Sequence, residues 1–468
     1  MLKLILSVAF IVFCICPAYA VTTISSLPYT ARTAGETYQL NSDLTLNTGT
    51  AITIGASNVT IDCQNHTIRF AQTGGGTGID VGGYGDAEVR NCNFSTAYTR
   101  SDGSYIRAIR LSSAPSPYIH HNTFNVVGRA VGTTYDRERG IDGGTSTSGT
   151  ISNNTFRQSG IDRGVSIYLK EGQWNISNNT FTCTACTVTS SYGFFIRVTE
   201  YSVAGVTIAD NTFSVDPNST HFYPINGWDA QNVSILRNRF TFSGTHGRII
   251  NPDNASSGWT IRDNTITVNG SGSGNIYGIR YRNANSSGGD CGGNHIIEYN
   301  TVDCSGYKGT GTCNAVSIGG YADSTNACYN TDIRYNYLKG KSATFDFYPS
   351  TPTGSVNAID QDIYCNKIES TTGSPISLSG SGELRDIKFA YNLITPPAGR
   401  AAVSTSVAWG SNVTFCGSGT ISTTGGSVGY ESSCNNGSTG CYATAGARTS
   451  GDSASATLTS PSGLRIVQ

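Results

Sequence analysis

One pattern of apolar and polar positions recurs ten times between residues 119 and 394. Each copy has an apolar residue, two variable residues, an asparagine, one variable residue and a large apolar residue, in that order. The first apolar residue is isoleucine in every copy except the last, which has Phe389. Copies follow one another at intervals of 25 to 36 residues, the length of one supersecondary unit. The repeated asparagines are Asn122, Asn154, Asn179, Asn211, Asn238, Asn264, Asn300, Asn336, Asn366 and Asn392.

The repeat predicts short parallel strands that stack into a solenoid. In the copy GVTIADNTFSV, Val206, Ile208 and Phe213 alternate with polar residues, as in a strand with one buried face. Asn211 interrupts that apolar face, and a buried amide is costly unless it is hydrogen-bonded. Asparagines in one register satisfy one another when successive coils stack as an Asn ladder. We also expect the ladder asparagine to adopt the left-handed conformation at the bend between strands.

The repeat, together with the segment ASNVTIDCQNHTIRF at residues 56–70, resembles a known family. It is similar to the right-handed parallel β-helix of the pectin-lyase-like superfamily, in its carbohydrate-binding and sugar-hydrolysis subgroup with NosD-like proteins. The resemblance covers roughly residues 35–400. It implies an all-β, right-handed parallel β-helix solenoid of about 10–13 coils with an Asn ladder and disulfide clips. The fold carries lyases, hydrolases, adhesins and inert stalks, so it does not decide the activity.

Four segments are expected along the chain. Residues 1–20 combine Lys3, an apolar stretch and small residues around Ala20, which predicts a signal peptide and secretion. Residues 21–55 are expected to form an N-terminal cap, residues 56–402 the β-helix, and residues 403–468 a C-terminal cap with a Ser/Thr/Gly-rich tail. No later stretch is apolar over the length needed to span a bilayer, so we expect no membrane insertion.

The cysteines predict disulfides. Of the 14 cysteines, two lie in residues 1–20, which leaves 12, an even number in an oxidising compartment. Register and spacing predict the pairs Cys63–Cys92, Cys183–Cys186, Cys291–Cys328 and Cys304–Cys313. No pairing is assigned to Cys365, Cys416, Cys434 and Cys441.

Composition limits the partners. Only 13% of the residues are charged and the net charge is −1, which argues against nucleic acid or an anionic membrane as a partner. Copper, suggested by the NosD resemblance, is disfavoured because Met1 is the only methionine and His120-His121 the only adjacent histidine pair. No metal-ligating residues are predicted, and calcium is expected only through the family resemblance.

A further strand lies 13 to 21 residues before each ladder asparagine, and in the resembled family this strand lines the polysaccharide groove. Its inward residues are expected to be Ile109, Ile141, Val165, Ile196, Ile225, Ile249, Ile279, Val316, Phe345 and Ile376. Near it, aromatic rings could stack on sugars, and Arg or Lys could pair with uronate or sulfate groups. The candidate catalytic residues are Asp229, Arg280, Arg282 and Lys170. The candidate substrate-binding residues are Tyr168, Arg197, Glu200, Trp228, Asp346 and Tyr348.

A second carboxylate cluster follows from the register. Asp332 and Asp362 both stand four residues before a ladder asparagine of adjacent coils, so we expect them side by side, about 5 Å apart. Asp360 is close in sequence. This separation suits the carboxylate pair of a retaining glycosidase. The alternative is an ion-pair ladder on an exposed sheet, built from Arg262, Glu298 and Arg334.

Two functions are consistent with these features. The first is a secreted protein that binds a polysaccharide along the groove strand, with cleavage by a lyase or glycoside-hydrolase reaction left open. The second is a non-catalytic structural or adhesive extracellular solenoid, which could self-associate or attach to a surface. The Arg, Trp and Tyr content of the groove strand favours the first function. The lack of an intact catalytic signature favours the second.

Overall fold

The structure is a computed structural model. It describes residues 21–97, 104–127, 138–144, 148–161, 164–187, 192–199, 205–282, 292–319, 328–347, 356–378, 383–390, 392–405, 414–415, 421–423 and 429–430. All helical or extended structure in these residues is β-strand, arranged in three parallel sheets that we call sheets A, B and C.

Sheet A has 16 strands: Val21–Ile24, Thr37–Leu40, Thr60–Asp62, Glu88–Arg90, Tyr118–His120, Ser148–Ser152, Gln173–Ser177, Thr207–Ala209, Ser234–Leu236, Thr260–Arg262, Gly293–Glu298, Cys328–Arg334, Val356–Tyr364, Glu383–Ala390, Thr414–Phe415 and Gly429–Tyr430. Sheet B has 15 strands: Tyr29–Ala31, Gly49–Ile54, Gly76–Asp80, Ile106–Arg110, Glu138–Asp142, Gly164–Leu169, Gly193–Thr199, Phe222–Trp228, Gly247–Asp253, Ile276–Arg282, Cys313–Gly319, Phe345–Phe347, Ile376–Leu378, Val403–Thr405 and Ile421–Thr423. Sheet C has 13 strands: Leu44–Thr45, Thr67–Arg69, Asn93–Ser95, Thr123–Val127, Thr155–Ile161, Thr180–Thr187, Thr212–Val215, Arg239–Phe242, Thr265–Val268, Thr301–Asp303, Tyr337–Gly340, Lys367–Ser370 and Leu393–Thr395.

From residue 37 to residue 405 the chain passes through sheets A, C and B in turn, and each passage is one coil of a solenoid. Strands pair in parallel with the equivalent strand of the next coil, so that Ile176 aligns with Ile208 and Ile208 with Ile235. The predicted all-β parallel β-helix is therefore confirmed. Sheet A begins with Val21–Ile24, so the segment expected to cap the solenoid already contributes strands to it.

The Asn ladder runs without interruption from Asn122 to Asn392. In each of nine steps the Nδ2 of one asparagine donates to the Oδ1 of the next, at 2.9–3.1 Å. The same oxygen also accepts the backbone N–H of the preceding ladder residue, as Asn238 Oδ1 does from Asn211 at 2.9 Å. The predicted ladder is confirmed, and its stacking supplies partners for buried amides that would otherwise be costly.

The prediction that the ladder asparagine adopts the left-handed backbone conformation is wrong. None of the ten ladder residues has a positive φ. In the nine copies where the residue immediately before the asparagine is described, that residue takes the left-handed conformation instead. Examples are Asp210 with φ +58°, Asp263 with φ +56° and Tyr335 with φ +56°. The preceding residue absorbs the bend, and the asparagine side chain is then free to align with its neighbours along the ladder.

Sheet C sends a stack of aromatic rings into the core. Adjacent rings are nearly parallel, with centroids 4.5–5.0 Å apart, as expected when one phenylalanine per coil occupies the same register. The rings belong to Phe94, Phe124, Phe156, Phe181, Phe213 and Phe240. They pack against the isoleucine column of sheet A in one continuous core.

Three predicted disulfides are confirmed: Cys63–Cys92, Cys183–Cys186 and Cys304–Cys313. Cys328 and Cys365 are also disulfide-bonded. Cys291, the predicted partner of Cys328, lies outside the described residues, as do Cys416, Cys434, Cys441 and the expected signal peptide. Within the described ranges no helix has the length and apolar character needed to cross a membrane.

Candidate functional site

The outer face of sheet B carries a row of mostly polar side chains, one per coil, which we call the groove column. Parallel pairing aligns its members across successive strands at about 4.8 Å per step. The members are Tyr168, Arg197, Asn226, Asn251, Arg280, Ser317, Asp346 and Ser377. Four of them, Tyr168, Arg197, Arg280 and Asp346, are among the residues predicted from the sequence.

The other predicted groove residues lie beside this column or outside the described residues. Trp228 and Arg282 both align with Asp253 in a neighbouring column, although only the backbone of Arg282 is described. Lys170 directly follows the strand Gly164–Leu169. Glu200 and Tyr348 lie outside the described residues.

Two of the expected inward residues are wrong in register. The residues that align with the inward column are Ile250 rather than Ile249, and Ile167 rather than Val165. Both Ile249 and Ile250 are fully buried, so two successive residues of this strand face the core. Strict alternation therefore fails in sheet B, and for that reason the sequence does not identify Asn251 as a groove residue.

The strand Gly247–Asp253 forms the centre of the site. Asp253 Oδ2 accepts a hydrogen bond from Asn251 Nδ2 at 3.1 Å and lies 3.5 Å from Arg248 Nη1. The exposed fractions are 5% for Arg248, 0% for Asn251 and 3% for Asp253. A buried ion pair needs such additional hydrogen bonds to offset the loss of hydration. None of these three residues is predicted, although polar residues within an apolar strand would have been a usable signal.

Three fully buried polar atoms on this face have no hydrogen-bond partner within the described structure. They are Arg248 Nε, Asn251 Oδ1 and Asn314 Oδ1. Buried polar atoms in proteins are almost always paired, and each unpaired one costs about 1–3 kcal/mol. One acceptor in the groove column, Asn251 Oδ1, and a donor and an acceptor in the column beside it, Arg248 Nε and Asn314 Oδ1, thus have unused hydrogen-bonding capacity.

Each arginine of the site lies over an aromatic ring. For Arg197 and Arg280 the ring belongs to the column beside the groove column, and for Arg248 it belongs to the aligned residue of the preceding coil. The distances from the guanidinium carbon to the ring centroid are 4.9 Å for Arg197 over Phe194, 4.7 Å for Arg248 over Tyr223 and 4.2 Å for Arg280 over Tyr277. Cation–π contact holds a guanidinium plane in place while its edge can still donate hydrogen bonds. The three cations are therefore positioned by packing.

Burial shifts the pKa of two members of the groove column, Arg197 and Asp346. It lowers the pKa of Arg197 to about 10, against the opposing effect of Asp253, so Arg197 stays charged at neutral pH. Burial also raises the pKa of Asp346 to about 6, although Arg280 and the hydrogen bond from Asn314 act in the opposite direction. The Asn314 Nδ2 to Asp346 Oδ2 distance is 3.1 Å. Asp346 can therefore exchange a proton near neutral pH, as a general base must.

Asp229 and His246 have other surroundings. Asp229 Oδ1 accepts hydrogen bonds from Asn254 Nδ2 and from the Ala255 N–H, the latter at 3.1 Å, which is a turn-capping arrangement. His246 stacks on His221 with ring centroids 4.5 Å apart, and burial lowers its pKa to about 4. His246 is therefore neutral at pH 7, and we leave both residues out of the chemistry derived below.

The outer face of sheet A carries the ion-pair ladder. Glu298 lies between two arginines, with Oε1 2.6 Å from Arg262 Nη2 and Oε2 2.7 Å from Arg334 Nε. The strand register aligns the three residues in successive coils. The predicted alternating ladder is therefore present, with its carboxylate buried.

The carboxylate cluster adjoins this ladder. Asp332 aligns with Asp362, and Asp362 with Lys388, as the register predicts. Arg334 Nη1 lies 3.4 Å from Asp332 Oδ2. Burial raises the pKa of Asp332, and Arg334 acts in the opposite direction. For Asp360 only the backbone is described. The contact with Arg334 favours the structural alternative for this cluster.

A metal ion is not supported by this part of the chain. The described residues contain no group of three or more His, Cys, Asp or Glu side chains that could hold a metal ion. Asp253, the most buried carboxylate of the site, is engaged by Arg248 and Asn251. Calcium, which the family resemblance allows, has no matching set of ligands here, and we derive no step through it.

No protein-family model and no curated protein sequence matches this chain. Two variant crystal structures of the periplasmic alginate epimerase AlgG are similar to it, both with TM-score 0.44. The first is 14% identical, and the match covers 73% of this chain and 77% of the epimerase chain. The second is 13% identical, and the match covers 76% of this chain and 78% of the epimerase chain. A complex structure of the alginate lyase AlyF-OU02 is 11% identical, with TM-score 0.32, and the match covers 78% of this chain and 80% of the lyase chain. Similarity at this level carries no inference about chemistry, which has to come from the side chains.

Proposed function

We propose that the outer face of sheet B binds an acidic polysaccharide along the groove column. The observation that carries this proposal is the position of Arg197, Arg248 and Arg280 on one sheet face, the first and last in the groove column and Arg248 in the column beside it. The unpaired buried Asn251 Oδ1 lies between Arg197 and Arg280 in the groove column. Guanidinium groups recognise carboxylate and sulfate groups through paired hydrogen bonds. Uronate or sulfated sugars offer these groups together with hydroxyls for the amides of Asn251 and Asn314.

A polymer fits this face better than a small molecule does. From Tyr168 to Ser377 the groove column crosses seven strand steps, which is about 34 Å at the usual strand spacing. The step from Arg197 to Arg280 is three strands, or about 14 Å. A ligand that contacts both arginines must therefore carry anionic groups on more than one sugar ring.

Cleavage of a uronate polymer would use Asp346 and Arg280. Arg280 would neutralise the uronate carboxylate, which acidifies the hydrogen on the adjacent ring carbon. The Asp346 carboxylate would take that proton, and the electron pair left behind would form a double bond to the next ring carbon. The bond from that carbon to the bridging oxygen would break, and this oxygen would leave with the electron pair and receive a proton from water or from Asp346. This elimination suits the described side chains better than hydrolysis. Hydrolysis needs two carboxylates, and Asp253 is already engaged by Arg248 and Asn251.

Secretion belongs to the same proposal. The disulfides Cys63–Cys92, Cys183–Cys186 and Cys304–Cys313 support an oxidising compartment, where extracellular polysaccharides are met. Removal of residues 1–20 would release the chain outside the cytoplasm. Peptide sequencing of the exported protein tests this part, and a mature N-terminus other than Val21 would contradict it.

The test is binding of alginate, polygalacturonate and chondroitin sulfate oligosaccharides by titration calorimetry at low and high salt. We expect at least one to bind, and Arg280→Gln to weaken it about 10- to 100-fold, the value of a charge-assisted hydrogen bond. Arg237→Gln is the matched control, because Arg237 is exposed, lies on a strand connection of sheet A and pairs with Asp210 at the surface. It should change affinity by less than about twofold.

Product analysis separates cleavage from binding. Unsaturated uronate ends that absorb in the ultraviolet, formed by the native chain and lost in Asp346→Asn, would establish an elimination reaction. Tight binding without new ends would make the chain a non-catalytic polysaccharide-binding solenoid. Binding of none of the three polymers, or equal losses in Arg280→Gln and Arg237→Gln, would overturn the proposal and favour a structural or adhesive solenoid.

A further inference from the structure

Sheet A carries an uncharged cleft on a face separate from the groove column. The cleft has a volume of about 530 Å³, within the usual range for ligand sites, and all the described residues that line it are uncharged. Tyr118, Thr150, Asn175 and Thr207 line it in one register column, one residue per coil. Gln173 adds a second amide on the same face.

The floor of the cleft is built from Trp174 and Gly149. Trp174 is 2% exposed, and its Nε1 donates to the Glu171 carbonyl at 2.8 Å. A Cβ at position 149 would lie 2.4 Å from Trp174 Cζ3, so only glycine lets the backbone lie directly on the indole. This close packing keeps the bottom of the cleft flat and fixed.

One end of the cleft presents an aromatic face. Tyr118 is 40% exposed, and one side of its ring stacks on His120 with centroids 4.0 Å apart. The stacking holds the ring in position, and its other side is available for contact with a ligand. An immobilised ring beside hydroxyl and amide groups is the combination that binds the apolar face and the hydroxyls of a sugar.

The absence of charge continues beyond the cleft. From Thr207 the same register column proceeds through Ser234 and Thr260 to Ile296 before it reaches Asp332. Exposed sheet faces usually carry interspersed charges. In the opposite direction the column reaches Glu88 directly beside Tyr118, so its uncharged part runs from Tyr118 to Ile296. The described residues of this part offer an anionic polymer no countercharge, in contrast to the arginines of sheet B.

We propose that this cleft is a second glycan site and that it takes an uncharged oligosaccharide. The row of hydroxyl and amide groups supplies both donors and acceptors, as sugar hydroxyls require. A peptide partner is less suited, because peptides that add to sheets use an unpaired edge. The cleft lies on the face of interior strands, such as Ser148–Ser152, whose backbone is paired on both sides.

The test uses cellohexaose, xylohexaose and laminarihexaose as probes in titration calorimetry with the mature chain. We expect one of them to bind, and Thr150→Lys and Tyr118→Ala each to weaken it by about tenfold or more. Thr260→Lys is the matched control, since it places the same charge in the same column two coils beyond Thr207. It should leave the affinity within about twofold, and melting curves check that each variant is folded.

Four outcomes would overturn the inference. If none of the three oligosaccharides binds the native chain, or Thr260→Lys weakens binding as much as Thr150→Lys, the cleft is not the site. If Arg280→Gln abolishes binding of the neutral sugar, that sugar occupies the groove of sheet B. A change of oligomeric state in Thr150→Lys, seen by sedimentation without any loss of sugar binding, would assign the cleft to contact between copies of this chain.

Discussion

Asn264 Nδ2 donates to Asn300 Oδ1 at 3.0 Å, and Asn264 Oδ1 accepts from Asn238 Nδ2 at 3.1 Å. One side-chain amide thus joins three successive coils. Without it, the Asn238 backbone N–H loses its acceptor and the buried Asn300 Oδ1 loses one of its two donors. The Nδ2 groups of both neighbours keep their backbone carbonyl acceptors. A single ladder residue therefore stabilises three successive coils, which are far apart in the sequence.

Replacing Asn264 by leucine should lower the free energy of unfolding by about 3–5 kcal/mol. The substitution leaves the Asn238 backbone N–H without its acceptor and the Ile235 carbonyl without its side-chain donor, and each buried unpaired group costs about 1–3 kcal/mol. Denaturant unfolding measures the loss. The exposed Asn269 provides the control, since Asn269→Leu should cost less than about 1 kcal/mol. Equal losses in the two variants would remove the energetic role of the ladder.

Glu298→Gln should destabilise the fold by about 2–4 kcal/mol. The glutamate is 4% exposed and contacts Arg262 and Arg334, so the neutral amide leaves two guanidinium groups without their shared carboxylate. Thermal melting with the Asp210→Asn variant as a comparison tests this. Asp210 pairs with Arg237 at the surface, where removal of an ion pair costs about 0–1 kcal/mol. A melting temperature for Glu298→Gln no lower than that of Asp210→Asn would contradict the prediction.

His295 should make the fold weaker in mild acid. Burial lowers its pKa to about 3, whereas the unfolded chain has the ordinary value near 6.5. Below pH 6.5 the unfolded state binds a proton that the folded state does not, so stability falls as the pH falls from about 6.5 towards 3. Between pH 7 and pH 5 this contribution amounts to about 2 kcal/mol.

The variant His295→Gln isolates this contribution. In the native chain the Trp259 backbone N–H donates to His295 Nδ1 at 3.3 Å. A glutamine at position 295 can still accept this hydrogen bond through its side-chain oxygen, but glutamine does not titrate. Its stability should therefore fall less between pH 7 and pH 5 than that of the native chain, by about 2 kcal/mol in urea unfolding. Parallel pH profiles for the two proteins would show that His295 is not held neutral by its burial.

Binding of an acidic oligosaccharide should strengthen as the pH falls from 7.5 to 5. Asp346 has its pKa raised to about 6 by burial, so it loses its negative charge over this interval while a uronate or sulfate ligand keeps its own. Removal of one repelling charge from the groove should raise affinity several-fold. In Asp346→Asn this pH dependence should disappear, and its persistence there would assign the effect to another group.

The sequence by itself determined the architecture of sheets A and C. The ladder asparagine, its preceding isoleucine and its following apolar residue keep constant offsets, so Ile208, Asn211 and Phe213 are in register with their counterparts in neighbouring coils. The same offsets correctly placed Asp332 beside Asp362 and Arg262 beside Glu298. Each of these side-chain alignments follows from a constant number of residues before or after the ladder asparagine, so it can be predicted from the sequence without the three-dimensional structure.

The tertiary structure alone decided the centre of the candidate site. The segment between the ladder and sheet B varies in length, and Ile249 and Ile250 both face the core, so counting from the asparagine misses Asn251 and its contact with Asp253. The burial that shifts the pKa of Asp346 also arises only when the coils stack. Repeated local spacing determines which strands pair, whereas the environment of each groove side chain depends on coils that are far apart in sequence.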